Sequence, residues 1–185
     1  GLSGSTTLML NIQNNDLWQI QSAIDFENNC DFNVVTNVTV MVEDYINGWG
    51  IDLNVFNAGT TNTPDYNLLQ NNFIKQAGIA IIAAGFRSGA TAYRPIGNII
   101  KQNRIGSDTD SLIAWGVQSE ICQNTIIENN EVQNIRNYKD FVCPGLNAFG
   151  DHGSIIRNNV VHNIYESTGN EYGVHGISLT GSGIF

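Results

Sequence analysis

Two aspartates in matching places are the residues best suited to chemistry in this chain. Asp25 and Asp52 each end a triplet made of a small residue, an isoleucine and the aspartate. If the two triplets lie on neighbouring strands, their carboxylates stand about 5 Å apart. Two carboxylates at that distance can share a proton, bind a cation or act as the pair of a retaining glycosidase. Asp25 and Asp52 are therefore candidate catalytic and ligand-binding residues.

The same kind of triplet recurs along the chain, and its third position gives a column of mostly polar side chains. The column reads Ser3, Asp25, Asp52, Ala80, Gln118, Asn147 and His175. Because side chains alternate across a strand, the apolar residue of each triplet should point inward and the third residue outward. We expect a polar stripe on one face, with Asp25, Asp52, Gln118, Asn147 and His175 available to bind a ligand.

Two histidines and three aromatic residues complete the candidate site. His175 and His152 could carry protons in catalysis, although no acid occupies the position before His175 in the column. Trp49, Trp115 and Tyr172 each precede the glycine of a triplet. Exposed rings there would form a platform for stacking sugar rings, whereas the same alternation could also turn them into the core.

Evidence for a metal or an organic cofactor is slight. Asp108 and Asp110, in a Gly-Ser-Asp-Thr-Asp-Ser segment, are candidate Ca²⁺ ligands. Their spacing is not that of an EF-hand, so a turn stabilised by aspartate is the competing interpretation. The sequence has no phosphate loop, nucleotide fingerprint, zinc pattern or hydrolase elbow. We therefore expect no cofactor, with Ca²⁺ as the one possible exception.

Composition narrows the class of protein. The 185 residues are 42% hydrophobic and only 14% charged, with 26 Asn and 23 Ile, which favours strands and turns over helices and disorder. The net charge is −9, and eight acids but no Lys or Arg precede Lys75. An acidic chain is a poor partner for nucleic acid. No apolar run approaches the ~20 residues of a membrane-spanning helix, so we expect no membrane insertion.

The cysteines do not fix the compartment. Cys30, Cys122 and Cys143 give an odd number without metal-ligand spacing. Buried free thiols are the simplest interpretation, and a disulfide between Cys122 and Cys143 is an alternative.

A second pattern repeats with a period of roughly 28 residues, which lies in the range of stacked repeat architectures. It consists of two apolar residues, two polar residues, Asn, any residue and an apolar residue. The key positions are Asn15, Asp44 in the place of Asn, Asn72, Asn103, Asn130 and Asn159, at separations of 29, 28, 31, 27 and 29. Units this short cannot bury a hydrophobic face alone, so the repeat predicts a stack of units. Asn suits the bends of such a stack, because it tolerates left-handed backbone and can form hydrogen-bonded ladders.

Short β-runs, an Asn at a fixed turn and a period above twenty resemble the repeats of right-handed parallel β-helix proteins. These form the pectate-lyase-like superfamily, and the Asn-rich type occurs in large exported bacterial surface proteins. The resemblance implies an all-β fold, a right-handed parallel β-helix (solenoid) of six or seven units. Residues 1–185 would be a single β-helix segment of a longer protein.

The resemblance also implies a class of function, with alternatives. The expected function is an adhesin-like, secreted or cell-surface protein that binds polysaccharide or a cell-surface glycan, with its flanking domains and export machinery as further partners. The second hypothesis is a polysaccharide-active lyase, hydrolase or epimerase, and the third is a structural stalk. His-Gly-Ile-Ser at 175–178 resembles a short motif of polygalacturonase-type hydrolases, but the Asn-Thr-Asp and Asp-Asp partners of that motif are absent.

Overall fold

The chain is built from β-strands. A computed structural model describes residues 2–4, 11–19, 22–27, 30–43, 47–55, 63–88, 91–107, 112–137, 143–166 and 174–181. Within these ranges the backbone forms strands, turns and bends and no helix. The expectation of an all-β fold is confirmed.

Twenty strands lie in the described ranges. In chain order they are β1 (Leu2–Gly4), β2 (Asn11–Gln13), β3 (Asp16–Gln19), β4 (Ser22–Glu27), β5 (Val34–Thr36), β6 (Thr39–Val42), β7 (Trp49–Asn54), β8 (Leu68–Gln70), β9 (Phe73–Ala84), β10 (Phe86–Ser88), β11 (Thr91–Tyr93), β12 (Ile99–Lys101), β13 (Arg104–Ile105), β14 (Leu112–Glu120), β15 (Ile126–Glu128), β16 (Glu131–Asn137), β17 (Cys143–Phe149), β18 (Ile155–Arg157), β19 (Val160–Glu166) and β20 (Val174–Thr180).

Most strand pairs are parallel, and they form three ladders. The short-strand ladder is a six-stranded sheet in the order β2, β5, β8, β12, β15, β18. The middle ladder pairs β3, β6, the start of β9, β13, β16 and β19. The long-strand ladder pairs β1, β4, β7, the rest of β9, β14, β17 and β20. Among the described strands, the hairpin of β10 and β11 is the antiparallel exception.

The middle and long-strand ladders belong to one twelve-stranded sheet because β9 takes part in both. Phe73 and Ile74 pair with β13, and Gln76 to Ala84 pair with β14. A single further pair, Ile113 with Ile135, joins β14 to β16. The pairings of β9, β13, β16 and β14 therefore close into a ring.

One inward column of each ladder fills a common hydrophobic core. The columns are Val35, Leu69, Ile100 and Ile127 in the short-strand ladder, Val40, Ile74, Ile105 and Val132 in the middle ladder, and Ile24, Ile51, Ile81, Val117 and Leu146 in the long-strand ladder. Each of these side chains is at most 1% exposed. β-Branched and leucine side chains suit this role because they pack well on a pleated surface.

The small residue of each triplet has a packing cause. In the long-strand ladder it lies just before the inward column and faces the middle ladder. A Cβ on Gly116 would collide with the backbone oxygen of Gly145 and would stand 2.6 Å from Cγ1 of Val132. At Gly116, therefore, only a residue without a side chain fits.

Asparagine side chains form a buried hydrogen-bonded row beside the middle ladder. Nδ2 of Asn72 donates to Oδ1 of Asn103, Asn103 to Asn130, and Asn130 to Asn159, each at 3.0 Å. The same Oδ1 atoms accept the backbone N–H of the preceding Asn. These four asparagines therefore form a ladder of the kind that the repeat predicts.

The position that the repeat assigned to Asp44 belongs instead to Val38. Asp44 lies outside the described residues, and the backbone N–H of Val38 is the group that donates to Oδ1 of Asn72, at 3.1 Å. Val38 is buried, and its side chain has no amide that could donate a hydrogen bond to another unit. Asn15 occupies the position of the column one unit before Val38. It is exposed, and its Nδ2 donates to the backbone oxygen of Gln13.

The repeat length is consequently less regular than the sequence suggests. The aligned centres of the short-strand ladder are Ile12, Val35, Leu69, Ile100, Ile127 and Ile156, at sequence separations of 23, 34, 31, 27 and 29. Because Asp44 lies between two true positions, the pattern had averaged a short and a long unit into two units of similar length.

A second buried polar row, which the sequence analysis missed, precedes the short-strand ladder. Nδ2 of Asn33 donates to Oδ1 of Asn67, and Asn67 donates likewise to Asn98. Thr125 and Ser154 continue the row, with the backbone N–H of Thr125 donating to Oγ of Ser154. Each residue stands five places before a position of the first ladder column, and this constant spacing is the signal that could have revealed the row.

Left-handed backbone precedes both rows. Before the first ladder column the residues with positive φ are Asn14, Asn37, Asn71, Gln102, Asn129 and Asn158. Before the second row they are Phe32, Tyr66, Gly97, Asn124 and Gly153. The ladder asparagines themselves are therefore not the left-handed residues, since the residue before each one makes the bend.

Candidate functional site

The strand register shows that Asp25 and Asp52 are neighbours, as the matching triplets predict. They are paired positions on β4 and β7, flanked by Ser3 on β1. The column continues through Ile82 on β9, Gln118, Asn147 and Ser178. Two predicted members are thus misplaced: Ile82 stands where Ala80 was expected, and Ser178 where His175 was expected.

The displaced positions arise because two units each contain two candidate triplets. In one unit they begin at Gly78 and Ala80, in the other at Gly173 and Gly176, and the hydrogen-bond register uses the later one in both. A shift of two positions keeps the same face of a strand, so alternation cannot distinguish the first pair. In the other unit the shift is three positions, which moves His175 out of the column.

The middle of the column is buried, which corrects the expectation of an exposed stripe. Asp52 is fully buried and Gln118 is 8% exposed, whereas Asp25 and Asn147 are partly exposed. Alternation decides the face of the sheet on which a side chain lies. It does not decide whether that face meets solvent.

The Asp25–Asp52 pair has unusual electrostatics. Both carboxylate oxygens of Asp52 and Oδ1 of Asp25 are buried without a hydrogen-bond partner. Burial raises the pKa of Asp52 well above its ordinary value, and the charges of Asp25 and Glu27 raise it further. Burial, followed by the charge of Glu27, raises the pKa of Asp25 to about 6. The surroundings therefore favour the protonated form of Asp52, next to an acid whose pKa is about 6.

Four polar side chains, a tryptophan and a proline surround a cavity of about 300 Å³, the Trp115–His175 cavity. Its lining is Trp115, Pro144, Asn147, His175, Ser178 and Thr180. Strands β14, β17 and β20 supply these residues from adjacent positions: His175 pairs with Pro144, Ser178 with Asn147 and Thr180 with Phe149. Three predicted binding residues, Trp115, Asn147 and His175, thus lie together although only Asn147 belongs to the column.

Trp49 and Trp115 do not form a continuous platform. Both pair with Ile79, so an isoleucine separates them by two strand spacings, about 10 Å. Both are partly exposed. Trp115 faces the cavity together with His175, whereas Trp49 lies closer to the Asp25–Asp52 pair, since Ser22 on β4 is its other partner.

His152 lies neither beside the Asp25–Asp52 pair nor in the lining of the Trp115–His175 cavity. It is exposed, its Nε2 lies 3.4 Å from Nη2 of Arg94, and its backbone pairs with Gln123. The neighbouring carboxylate of Asp151 is buried and accepts the backbone N–H of Cys122 at 2.8 Å. Asp151 therefore cannot serve as a proton partner on the surface where His152 lies.

Several candidates lie outside the described residues. They are Tyr172, Asp108 and Asp110. In the part of the chain that the structure describes, no group of three or more His, Cys, Asp or Glu side chains could hold a metal ion. The described residues also contain no helix that is long and apolar enough to cross a membrane.

Two of the cysteines are buried free thiols. Cys30 and Cys122 are both fully buried and unbonded to another sulfur, so the alternative of a Cys122–Cys143 disulfide is wrong. Burial, with the charge of Asp151, raises the pKa of the Cys122 thiol to about 12. A thiol in that state is a poor nucleophile.

Comparison with known proteins does not identify a function for these residues. Comparison finds no matching family model, no matching curated protein and no matching solved structure. The function must be inferred from the residues themselves.

Proposed function

We propose that the three ladders wind as a right-handed parallel β-helix of the pectate-lyase-like kind. Each repeat unit adds one strand to each ladder in register, which is the expected behaviour of a solenoid. Crossover connections between parallel strands are right-handed in nearly all proteins, which supports the handedness.

The proposed function is carbohydrate binding by a secreted or cell-surface protein. The Trp115–His175 cavity carries this proposal. An indole face can pack against the apolar face of a sugar ring, while Asn147, His175, Ser178 and Thr180 offer hydrogen-bond donors and acceptors for hydroxyl groups. A cavity of about 300 Å³ lies at the small end of the range for ligand sites, so it suits one or two sugar residues of a longer glycan.

Binding and chain cleavage can be followed in one experiment. We would mix the protein with a panel of neutral and acidic polysaccharides and measure co-sedimentation and polymer length. Trp115→Ala and His175→Ala should each weaken binding about tenfold, because a residue at the centre of a site contributes more than about 1 kcal/mol. Tyr165→Ala, at an exposed ring elsewhere on the surface, is the matched control. Retained binding in both cavity variants would refute the proposed site.

The second candidate function is a polysaccharide-active enzyme centred on Asp25 and Asp52. Paired carboxyls with raised pKa values are typical of acid–base catalysis, and their adjacency favours this hypothesis. The burial of Asp52 opposes it, since a nucleophile must reach its substrate. Shortened polymers that disappear with Asp25→Asn or Asp52→Asn would establish the enzyme. Repeating the assay with a chelator tests a requirement for Ca²⁺, and a protein that neither binds nor cuts would be a stalk.

A further inference from the structure

Two aromatic side chains are stacked on an exposed corner where the backbone disfavours them. Phe32 and Tyr66 are 53% and 51% exposed, and their rings lie 5.2 Å apart at an interplanar angle of 10°. Both residues have positive φ, 57° and 55°. Bulky side chains rarely adopt this conformation, because Cβ crowds the following carbonyl oxygen.

The equivalent positions of other units show what the fold alone needs. The backbone N–H of each corner residue bonds to a backbone oxygen of the next unit: Phe32 to Asp65, Tyr66 to Ile96, Gly97 to Gln123 and Asn124 to His152. Among these corner positions, the two that have no aromatic ring are Gly97 and Asn124, and both residue types tolerate left-handed backbone. Tyr66 also uses the absence of a side chain at Gly97, where a Cβ would lie 2.7 Å from its ring.

Stacking of the two rings does not by itself offset their backbone strain. A left-handed non-glycine residue costs roughly 1–2 kcal/mol, so two of them cost about 2–4 kcal/mol. A stacked aromatic pair returns about 0.5–1.5 kcal/mol beyond the area it buries, and these rings remain half exposed. Backbone strain of this kind is typical of functional sites.

Acidic groups adjoin the rings. Asp31 precedes Phe32 and Asp65 precedes Tyr66. Oδ1 of Asp31 accepts the backbone N–H of Asp65 at 2.8 Å, and Oδ1 of Asp65 accepts that of Ile96 at 2.8 Å. The corner also lies in the part of the chain before Lys75, which contains no Lys or Arg. Aromatic rings and carboxylates together form a surface that is complementary to cations.

We propose that the corner formed by Asp31, Phe32, Asp65 and Tyr66 is a docking site for a basic protein segment. Arginine or lysine side chains of the partner would contact the rings and pair with the two carboxylates. Aromatic residues and arginine are both enriched in protein interfaces, and tyrosine and arginine are enriched among the residues that contribute most binding energy. The site is independent of the Trp115–His175 cavity, which other strands supply.

The decisive variant changes the rings and keeps the charge. Phe32→Asn combined with Tyr66→Asn installs the residue found at Asn124, so non-specific attraction to the acidic chain is unaltered. We would measure binding of an arginine-rich peptide by calorimetry at low and physiological salt. The double variant should bind about tenfold more weakly, with a melting temperature equal to or above that of the wild type. Tyr165→Asn, which removes another exposed ring, should bind normally.

A second variant tests the carboxylates without disturbing the rings. Asp31→Asn keeps an oxygen to accept the backbone N–H of Asp65, and it should weaken binding and reduce its salt dependence. Equal binding by the wild type and the ring variant would overturn the proposal, as would no binding by the wild type. Loss of oligosaccharide binding in the ring variant, with peptide binding retained, would reassign the corner to sugar.

Discussion

Asp52 is the described side chain whose surroundings least favour its charge. It is buried, both oxygens lack partners, and two acids lie nearby. An acid with a raised pKa binds its proton more tightly in the folded state than in the unfolded chain, where Asp ionises at about pH 3.9. The stability of the fold should therefore fall as pH rises from about 4 through the folded pKa of Asp25, about 6, and through the raised folded pKa of Asp52.

Asp52→Asn should remove this penalty while keeping the shape of the side chain. We expect the free energy of unfolding to rise by about 1–3 kcal/mol at neutral pH, with little gain near pH 3, where the unfolded aspartate is also protonated. Urea unfolding at the two pH values measures the difference. Asp16→Asn, at an exposed position, is the control. A gain of the same size at both pH values would show that ionisation of Asp52 is not the cause.

At the scale of elements, the middle and long-strand ladders approach closely along a line of small residues. Gly116 and Gly145 each lack room for a Cβ, whereas among the described residues a Cβ on Gly176 would meet only Cγ1 of Val161, at 3.9 Å. The same column position therefore differs sharply in tolerance between neighbouring units.

Gly116→Ala should destabilise the protein by about 1–3 kcal/mol or more, because the new methyl group must displace backbone. Gly176→Ala should cost less than about 1 kcal/mol, since its Cβ has ordinary contacts. Chemical denaturation of both variants gives the comparison. Similar losses in the two proteins would mean that the ladders do not pack as closely as described.

Across the whole molecule, hydrogen-bonded asparagines connect successive units. Asn103 takes part in four such bonds: its Nδ2 donates to the backbone oxygen of Leu69 and to Asn130, and its Oδ1 accepts the backbone N–H and Nδ2 of Asn72. Asn15 stands in the same column at an exposed place, with one described side-chain bond.

Asn103→Ala should lower the free energy of unfolding by about 2–4 kcal/mol, because the buried backbone N–H of Asn72 loses its acceptor and three further side-chain hydrogen bonds to neighbouring units are lost. Asn15→Ala should change it by less than about 0.5 kcal/mol, as expected of an exposed residue. Thermal and urea unfolding measure both. If the two losses were alike, the ladder would contribute little to holding the units together.

The all-β fold and its parallel strand ladders could be predicted from sequence, because periodic Asn and Ile positions reflect a requirement that successive paired strands share. Asn72, Asn103, Asn130 and Asn159 were placed correctly for this reason. Val38 was missed because the backbone N–H, not the side chain, maintains contact there. The sequence predicted only part of the lining of the Trp115–His175 cavity. Ser178, Thr180 and Pro144 lie there because of how β20 pairs with β17, and the two candidate triplets in the last unit allow more than one such pairing.

The units differ in length although their strands remain paired in register, so the connections between strands can vary in length. Extra residues accumulate in connections, and the hairpin of β10 and β11 is one such addition. Natural selection can therefore lengthen or exchange connections without altering the paired strands. The same property would make this chain a display scaffold, in which foreign peptides are inserted at connections and their tolerance is read from soluble expression.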